Sequence, residues 1–372
     1  MNKTTQRAVR ICLDAGVPAL LWGGPGIGKS SAVAALAARR DEPIEIVVGS
    51  VREPSDFAGL PVVGADGRTV VMAPPAWAER LTGVTRGVLF LDELSTAAPA
   101  VQAAMLRVVL DRVVGDCTLP AGVSIVAAAN AAEDAADGWD LAPPLANRFC
   151  HFEVSADAQT FADGLTLGWE TVGDDAIAAE RSDPSASAQA KARAEVAGFI
   201  RSLPDRLMRQ PATAAAAGRA WPSPRTWAMV ADVLARVGTD DVAVATVLVT
   251  GLVGEGAGLE FLAWRAKADL PDPESVLDDP SGFDWSGRAD TVYAVLTGVV
   301  GVVAARPTVA RWEKACAVLG VAATAGRADV GAAAARALAR CRPPKATTWP
   351  RSLRSFMPVL AAAGLVESEP VG

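Results

Sequence analysis

Residues 20–32 read LLWGGPGIGKSSA, and this stretch decides how the rest of the sequence is interpreted. Gly23, Gly28, Lys29 and Ser30 fit the pattern G-x-x-x-x-G-K-[S/T], in which backbone N–H groups converge on phosphate oxygens. In that pattern the lysine meets the β- and γ-phosphates and the hydroxyl ligates Mg²⁺. An apolar strand, PALLWG, precedes the motif and an alanine-rich helix, KSSAVAALAARR, follows it, so a helix N-terminus faces the anion. We therefore predict a phosphate-binding loop rather than a plain glycine turn.

The bulk properties predict a cytoplasmic protein that folds without disulfides. The chain has 372 residues, enough for two or three domains, and its five cysteines include no C-x-x-C pair. Its start lacks an apolar leader, and no run reaches the ~18 apolar residues that a membrane span needs. A net charge of −7 and an isoelectric point near 5.0 disfavour nucleic acid as a partner, although a local basic patch remains compatible with that sum.

Strand-like and helix-like segments alternate over the first 155 residues. Five short apolar segments predict strands: PALLWG, IEIVVGS, GVLFLDE, VSIVAAAN and FCHFEV. Such alternation predicts a parallel sheet covered by helices. Two segments, GLPVVGADGRTVVMAPP and RVVGDCTLPAG, read as hairpins inserted into this unit. In the helical segment APAVQAAMLRVVLDR, the spacing of Val101, Met105 and Val108 predicts core positions, so Met105 is expected to fill space.

Strand signals fade after residue 155, and alanine-rich helices follow. We predict an α/β nucleotide-binding domain at residues 1–157 and a helical domain with a C-terminal helical extension at residues 158–372. The segment TVGDDAIAAERSDPSASAQA, residues 171–190, reads as a linker or loop. A second acidic loop is predicted for KADLPDPESVLDDPSGFDWSGRAD, residues 267–290.

A second motif, which is acidic, supplies the carboxylates that a P-loop protein needs. The segment GVLFLDEL, residues 87–94, puts Asp92 and Glu93 after four apolar residues, at the carboxyl end of a predicted strand. Open α/β sheets bind ligands at that edge. We expect Asp92 to hold Mg²⁺ and Glu93 to orient and polarise the water that attacks the γ-phosphorus.

Three later polar residues are candidates for contacts to the γ-phosphate. Asn130 ends the strand VSIVAAAN, Arg148 lies in LAPPLANRF, and Arg225 lies in WPSPRTW. An amide can hydrogen-bond the attacking water, and guanidinium groups can neutralise charge that develops on the transferred phosphoryl group. Taken alone, Asn130 is a turn residue and each arginine a surface ion-pair partner. Beside the two motifs, all three are predicted to be catalytic, together with Lys29 and Glu93.

The ordered set GGPGIGKS, GVLFLDEL, AAAN, LANRF and SPRTW resembles the AAA+ ATPases, and specifically their MoxR branch within the helix-2-insert clade. The resemblance implies an α/β P-loop NTPase with a five-stranded parallel sheet and a helix-2 insert, followed by an all-helical lid and a C-terminal helical extension. It implies Walker B at Asp92 and Glu93 and sensor 1 at Asn130. It makes Arg148 the finger that reaches a neighbouring subunit, and Arg225 the sensor 2 that acts within its own chain.

The resemblance also implies the ligands and partners. Mg²⁺ is expected on Ser30 and Asp92, and ATP on Gly24, Pro25, Gly26, Ile27, Gly28, Lys29, Ser30 and Ser31. Ser95 and Thr96 depart from the pattern, because many relatives carry Asn-Arg after Walker B. We expect an ATPase that forms a ring, a hexamer, and remodels a client protein or inserts a cofactor into it, with a von Willebrand factor A domain protein as partner. The alternatives are a nucleic-acid motor and a non-hydrolysing nucleotide switch.

Overall fold

The computed structural model describes residues 1–130, 138–167, 183–238 and 241–366. The chain divides into two compact units. The first comprises Met1–Ser182, Met208–Val233 and Val237–Leu259, and the second comprises Asp183–Leu207, Leu234–Arg236 and Glu260–Gly372. The first unit therefore extends beyond residue 157, both within its first segment and through the two later ones, and the predicted domain boundary at that residue stays a prediction.

A five-stranded parallel sheet forms the centre of the first unit, as the alternating pattern predicts. The nine strands of the described residues are β1 (Ala19–Trp22), β2 (Ile44–Val48), β3 (Leu60–Val63), β4 (Val70–Ala73), β5 (Gly87–Asp92), β6 (Val113–Val114), β7 (Cys117–Thr118), β8 (Val123–Ala129) and β9 (Cys150–Glu153). The sheet order is β2-β5-β8-β1-β9, so β8 separates β1 from β5. Strands β1 and β8 are buried throughout, which explains why they are continuous apolar runs rather than alternating ones.

Helices cover this sheet, and their ends follow local sequence signals. The helices of the first unit are α1 (Lys3–Ala15), α2 (Lys29–Arg39), α3 (Ser55–Ala58), α4 (Ala76–Thr82), α5 (Pro99–Asp111), α6 (Pro143–Ala146), α7 (Ala158–Leu167), α9 (Ala214–Ala217), α10 (Pro224–Leu234), whose last residue lies in the second unit, and α11 (Val242–Val253). The Asn2 side chain caps α1 by accepting a 2.8 Å bond from Thr5 N. Met105 of α5 is fully buried in the core, as its spacing predicts.

Both predicted hairpins are present. Strands β3 and β4 pair antiparallel, and the Asp66 carboxylate closes their turn by accepting bonds from the backbone N–H groups of Arg68 and Thr69. Strands β6 and β7 form the shorter hairpin. The two hairpins are joined, since Met72 N donates a 2.7 Å bond to the Asp116 carboxylate and Asp116 N donates a 3.0 Å bond to Met72 O.

The second unit is helical. Its helices are α8 (Ala186–Ser202), most of α12 (Glu255–Ala268), α13 (Pro273–Asp278), α14 (Ala289–Ala305), α15 (Val309–Thr324), α16 (Ala328–Arg340) and α17 (Met357–Ala362). In the predicted linker, residues 171–182 lie outside the described residues, but 186–190 are helical because Ser185 caps α8. The predicted loop at 267–290 contains α13, which Asp272 caps. Within the described residues, no helix combines the length and hydrophobicity of a membrane span.

Candidate functional site

The phosphate-binding motif forms a tight loop between β1 and α2. Gly26 and Gly28 have φ values of +77° and +88°, in the left-handed region where a side chain is strained. A Cβ on Gly23 would lie 2.5 Å from the Val154 carbonyl oxygen, so that position requires glycine for space. Gly28 stands immediately before α2, whose first N–H groups and dipole favour an anion at this end.

Lys29 projects from the first turn of α2 toward the loop that it follows. Its ammonium donates to the carbonyl oxygens of Gly23 and Gly24, at 2.7 and 3.0 Å, and to Asn130 Oδ1 at 2.8 Å. Lys29 is 8% exposed, so its charge lies in a desolvated setting that strengthens contacts to an anion. The bond to Asn130 joins the end of β8 to the phosphate-binding loop.

The two predicted Mg²⁺ ligands touch each other. Ser30 Oγ donates a 2.6 Å hydrogen bond to Asp92 Oδ2, which joins the start of α2 to the end of β5. A hydroxyl and a carboxylate are oxygen donors of the kind Mg²⁺ prefers, and Mg²⁺ usually takes one or two protein ligands together with substrate phosphates and waters. The residues present therefore fit the ion. No cluster of three or more His, Cys, Asp or Glu side chains suited to a metal occurs in the described ranges.

Glu93 adopts an uncommon backbone conformation at the end of β5. Its φ is +56°, which is uncommon for a residue with a side chain. Such a conformation persists only where the surrounding structure holds it. Neighbouring bonds hold this conformation: Glu93 N donates 2.9 Å to Asp92 Oδ1, and Thr96 Oγ1 donates 2.9 Å to Glu93 O. The Glu93 carboxylate accepts a hydrogen bond from Ser50 Oγ, which follows β2.

Asn130 is held by its backbone as well as by its side chain. Ser95 Oγ donates to Asn130 O and accepts from Asn130 N, each at 3.0 Å. Ser95 is 2% exposed, so both bonds are shielded from water. The departure at Ser95 thus places a hydroxyl where it fixes the Asn130 main chain.

Arg148 and Arg225 are near enough for the charge of Arg225 to act on Arg148. Arg148 is mostly buried and donates to the Pro144 carbonyl oxygen, whereas Arg225 is exposed in the first turn of α10. Burial lowers the pKa of Arg148, the nearby charge of Arg225 lowers it further, and Asp111 opposes both effects. No hydrogen bond is recorded between either arginine and Lys29, Asp92 or Asn130 in the described part of the chain. The two arginines therefore form a separate group. Side-chain hydrogen bonds connect four of the other predicted site residues in two pairs, Lys29 with Asn130 and Ser30 with Asp92. The Glu93 carboxylate contacts Ser50 instead.

A buried aromatic cluster supports the strand that enters the loop. Trp22 Nε1 donates 2.9 Å to His151 Nδ1, so the proton of the neutral ring lies on Nε2, 2.9 Å from the Ala146 carbonyl oxygen. The Arg219 guanidinium lies 3.7 Å from the Trp22 ring centroid and pairs with Glu153 at 2.7 Å. Burial, reinforced by the Arg219 charge and opposed by the Ala146 hydrogen bond, lowers the pKa of His151 to about 4.

Sequence reasoning did not identify Ser50, Ser95 or His151 as parts of the site. The proximity of Ser50 to Glu93 follows once the register of β2 against β5 is known, because Ser50 comes after the carboxyl end of β2 and Val48 pairs with Asp92. A polar residue two positions later is therefore a candidate neighbour of Glu93. For Ser95 the sequence indicates only a departure from the family pattern. The pairing of His151 with Trp22 depends on the neighbouring positions of β1 and β9 in the sheet, which the sequence does not state.

A family model and a solved structure are each similar to part of this chain. Residues 19–153 match the family model "ATPase family associated with various cellular activities (AAA)". A solved structure of a "putative ATPase" from Cytophaga hutchinsonii is similar, at 18% identity and a TM-score of 0.37, over 57% of this chain and 71% of that one. A comparison with curated proteins gives no match.

Proposed function

We propose that this chain hydrolyses Mg²⁺-ATP at the carboxyl edge of its sheet. The observation that carries the proposal is the 2.6 Å bond between Ser30 and Asp92, because it joins the phosphate-binding loop to the acidic motif. The 2.8 Å bond between Lys29 and Asn130 joins the same loop to β8. Four side chains from α2, β5 and the end of β8 thus lie together, an arrangement that suits a nucleoside triphosphate and its metal.

Each side chain has a distinct task in this proposal. Lys29 exchanges its carbonyl partners for β- and γ-phosphate oxygens, and Asn130 hydrogen-bonds the γ-phosphate or the attacking water. Glu93 orients and polarises that water for in-line displacement. Ser30 and Asp92 hold Mg²⁺, which when bound neutralises charge on the phosphates. Gly24–Ser31 supply the backbone N–H groups that surround the phosphates.

Arg148 and Arg225 complete the site of a neighbouring copy in this proposal. Two adjacent guanidinium groups with one acidic group, Asp111, nearby favour an added anion. Since Arg225 lies beside Arg148, we assign both groups to one phosphate, although the family resemblance implies that Arg225 serves its own chain. A site shared head-to-tail between copies forms a heterologous interface, which gives a ring when the rotation between copies closes. We propose such a ring, with a hexamer as the expected size.

The client and setting follow from the resemblance to the MoxR branch. We propose that the ring remodels or activates a client protein, or inserts a cofactor into it, with a von Willebrand factor A domain protein as partner. We propose a cytoplasmic location, because all five cysteines are free thiols and three of them are buried.

ATP turnover by three proteins tests the proposed activity. Wild type is expected to hydrolyse ATP with Mg²⁺, and Lys29→Ala to lose nucleotide binding because its charge contacts phosphate in the ground state. Glu93→Gln is expected to bind ATP with near-normal affinity and turn it over very slowly, because Glu93 acts on water. Equal loss of ATP affinity in both variants would contradict these roles. Tight ATP binding by wild type without turnover would favour a nucleotide switch.

A second candidate, a nucleic-acid motor, is favoured by one observation. The chain from Val330 to Val366 contains no Asp or Glu and six basic residues, Arg336, Arg340, Arg342, Lys345, Arg351 and Arg354. All of them except Arg342 are exposed, and no ion pair is recorded for any of the six in the described ranges. Arg342 instead stacks on Trp349, 4.3 Å from its centroid. An unpaired basic surface of this kind suits a phosphodiester backbone, in spite of the negative net charge.

Salt-dependent binding of a labelled single-stranded oligonucleotide tests this candidate. Replacing Arg336 and Arg340 by Glu is expected to weaken binding and to reduce the slope of log Kd against log salt by about one per lost phosphate contact. The matched control replaces two exposed arginines outside the segment, Arg86 and Arg107, by Glu. Absence of binding, or the same loss in both variants, would remove the nucleic-acid function.

A further inference from the structure

Asn147, which directly precedes Arg148, is buried and hydrogen-bonded through both the nitrogen and the oxygen of its amide. It is 3% exposed, its Nδ2 donates 3.0 Å to the Trp221 carbonyl oxygen, and its Oδ1 accepts 2.7 Å from Ser223 Oγ. Both partners lie in the segment that leads into α10. The Asn147 amide therefore connects the position before Arg148 to Trp221 and Ser223, which lie four and two positions before Arg225.

The segment to which Asn147 is hydrogen-bonded is also held by hydrogen bonds of its own. Ser223 N donates 2.8 Å to Thr226 Oγ1, and Thr226 N donates 3.2 Å to Ser223 Oγ, a reciprocal pair that caps the start of α10. Ser223 is 5% exposed and Thr226 is fully buried. Arg225 stands between Ser223 and Thr226 in sequence, so its backbone is fixed while its side chain stays exposed.

We propose that Asn147 is a positioning residue that holds Arg148 and Arg225 side by side as one bipartite phosphate-binding unit. The proposal rests on the proposed ATPase function and goes beyond it, because it names the group that aligns the two arginines. The only bonds recorded for the Asn147 side chain within the described residues go to the segment that leads to Arg225. Binding one phosphate with two guanidinium groups requires a fixed separation, which two loops without a cross-link would not maintain.

The chemistry of the contact explains why an amide is needed there. Asn147 is the shorter partner of both groups: it donates to the Trp221 carbonyl oxygen at 3.0 Å and accepts from the Ser223 hydroxyl at 2.7 Å. Thr226 Oγ1 lies 3.3 Å from each and has only one proton to donate. Truncation at Asn147 leaves two buried polar groups without this partner, so the segments are expected to separate or to admit water. Either change moves Arg225 relative to Arg148 and leaves the residues that bind the nucleotide untouched.

A double-mutant cycle on ATP turnover tests the proposal. Asn147→Ala is expected to lower kcat by about tenfold with little change in KM, because the arginines act on charge that develops during transfer. In an Arg225→Ala background, Asn147→Ala is expected to lower kcat less than about twofold. The guanidinium group that Asn147 positions relative to Arg148 is already absent there. Ser223→Ala, a milder change, is expected to show the same coupling if Asn147→Ala fails to fold.

Gln102→Ala is the matched control. Gln102 is also a buried amide with two backbone partners, at 3.1 Å from Ala97 O and Ala142 N, but it does not contact residues 221–226. Gln102→Ala is expected to lower the melting temperature, and its effect on kcat is expected to be the same with and without Arg225. Unchanged kcat in Asn147→Ala, or equal fold losses with and without Arg225, would overturn the proposal and leave Asn147 a structural residue. Wild-type protein without turnover would instead overturn the ATPase function, and this inference with it.

Discussion

Acidification is expected to destabilise the first unit through His151, the single histidine of the chain. In the folded state both ring nitrogens are engaged, with Trp22 and with the Ala146 carbonyl, and burial lowers the pKa of His151 from 6.5 to about 4. Between these two pH values the unfolded chain binds a proton that the folded protein does not. The contribution of His151 to the free energy of unfolding is therefore fully present above pH 6.5 and decreases as the pH falls toward 4.

The size of the effect follows from the shift. Each pH unit in this window is worth about 1.4 kcal/mol, so the free energy of unfolding is expected to fall by about 2 kcal/mol between pH 7 and pH 5. Urea unfolding at both pH values, followed by tryptophan fluorescence, measures this difference. The control variant His151→Gln does not titrate, and it is expected to be less stable at pH 7 but to show a flatter pH profile.

Comparison of the two proteins isolates the histidine from other groups. Burial raises the pKa of Glu195, despite the opposing charge of Arg265, so Glu195 has the opposite dependence and stabilises the fold as the pH falls. Glu195 lies in the second unit and contributes equally to both proteins, so it cancels in the difference. Equal pH slopes in wild type and His151→Gln would refute the assignment of a neutral, hydrogen-bonded His151.

Three further predictions concern the hairpin, sensor and core. We expect the exposed part of the β3–β4 hairpin, residues 62–71, to contact the client, so replacing it by a Gly/Ser turn should leave basal ATPase intact and abolish client stimulation. Lost basal turnover would make the hairpin structural. Ser95→Ala should lower kcat more than ATP affinity, since it frees the Asn130 backbone; unchanged kcat in an ATPase assay would contradict this. Met105→Ala should cost about 2–5 kcal/mol in denaturant unfolding at unchanged kcat, because it opens a core cavity.

Much of the first unit could be predicted because its signals are local. Each sheet strand is a short apolar run, and the loop glycines match a pattern whose backbone demands are met at Gly26 and Gly28. The meeting of Ser30 with Asp92 also followed, since both stand at carboxyl ends of parallel strands or just beyond one. These inferences needed chain order and strand direction only.

The remaining features depend on which elements become neighbours, or on competing local preferences. The sequence does not indicate that Asn147 will bind residues 221 and 223. The proximity of Ser50 to Glu93 likewise depends on the register of β2 against β5. The sequence predicts a loop at the start of α8 because Ser185 and the small residues after it also suit a linker. Its cap and the helix packing decide the outcome there.

A mixing experiment tests most directly the central claim, that neighbouring copies share an ATP-hydrolysing site. Arg148→Ala and Lys29→Ala are each expected to be inactive, because a finger supplied in trans is worth about 10³ to 10⁵ in kcat. A random equal mixture should recover about a quarter of wild-type turnover, since an intact loop then meets an intact finger at about one interface in four. Arg225→Ala mixed with Lys29→Ala should recover as much.

The negative control mixes Lys29→Ala with Glu93→Gln, whose lesions fall in the same half-site, so no interface regains activity. Light scattering and a tag on one variant establish that the mixed assemblies have formed. The account predicts recovered ATPase in both arginine mixtures and none in the control. Mixed assemblies that contain both chains and yet show no recovered ATPase with Arg148→Ala would contradict it.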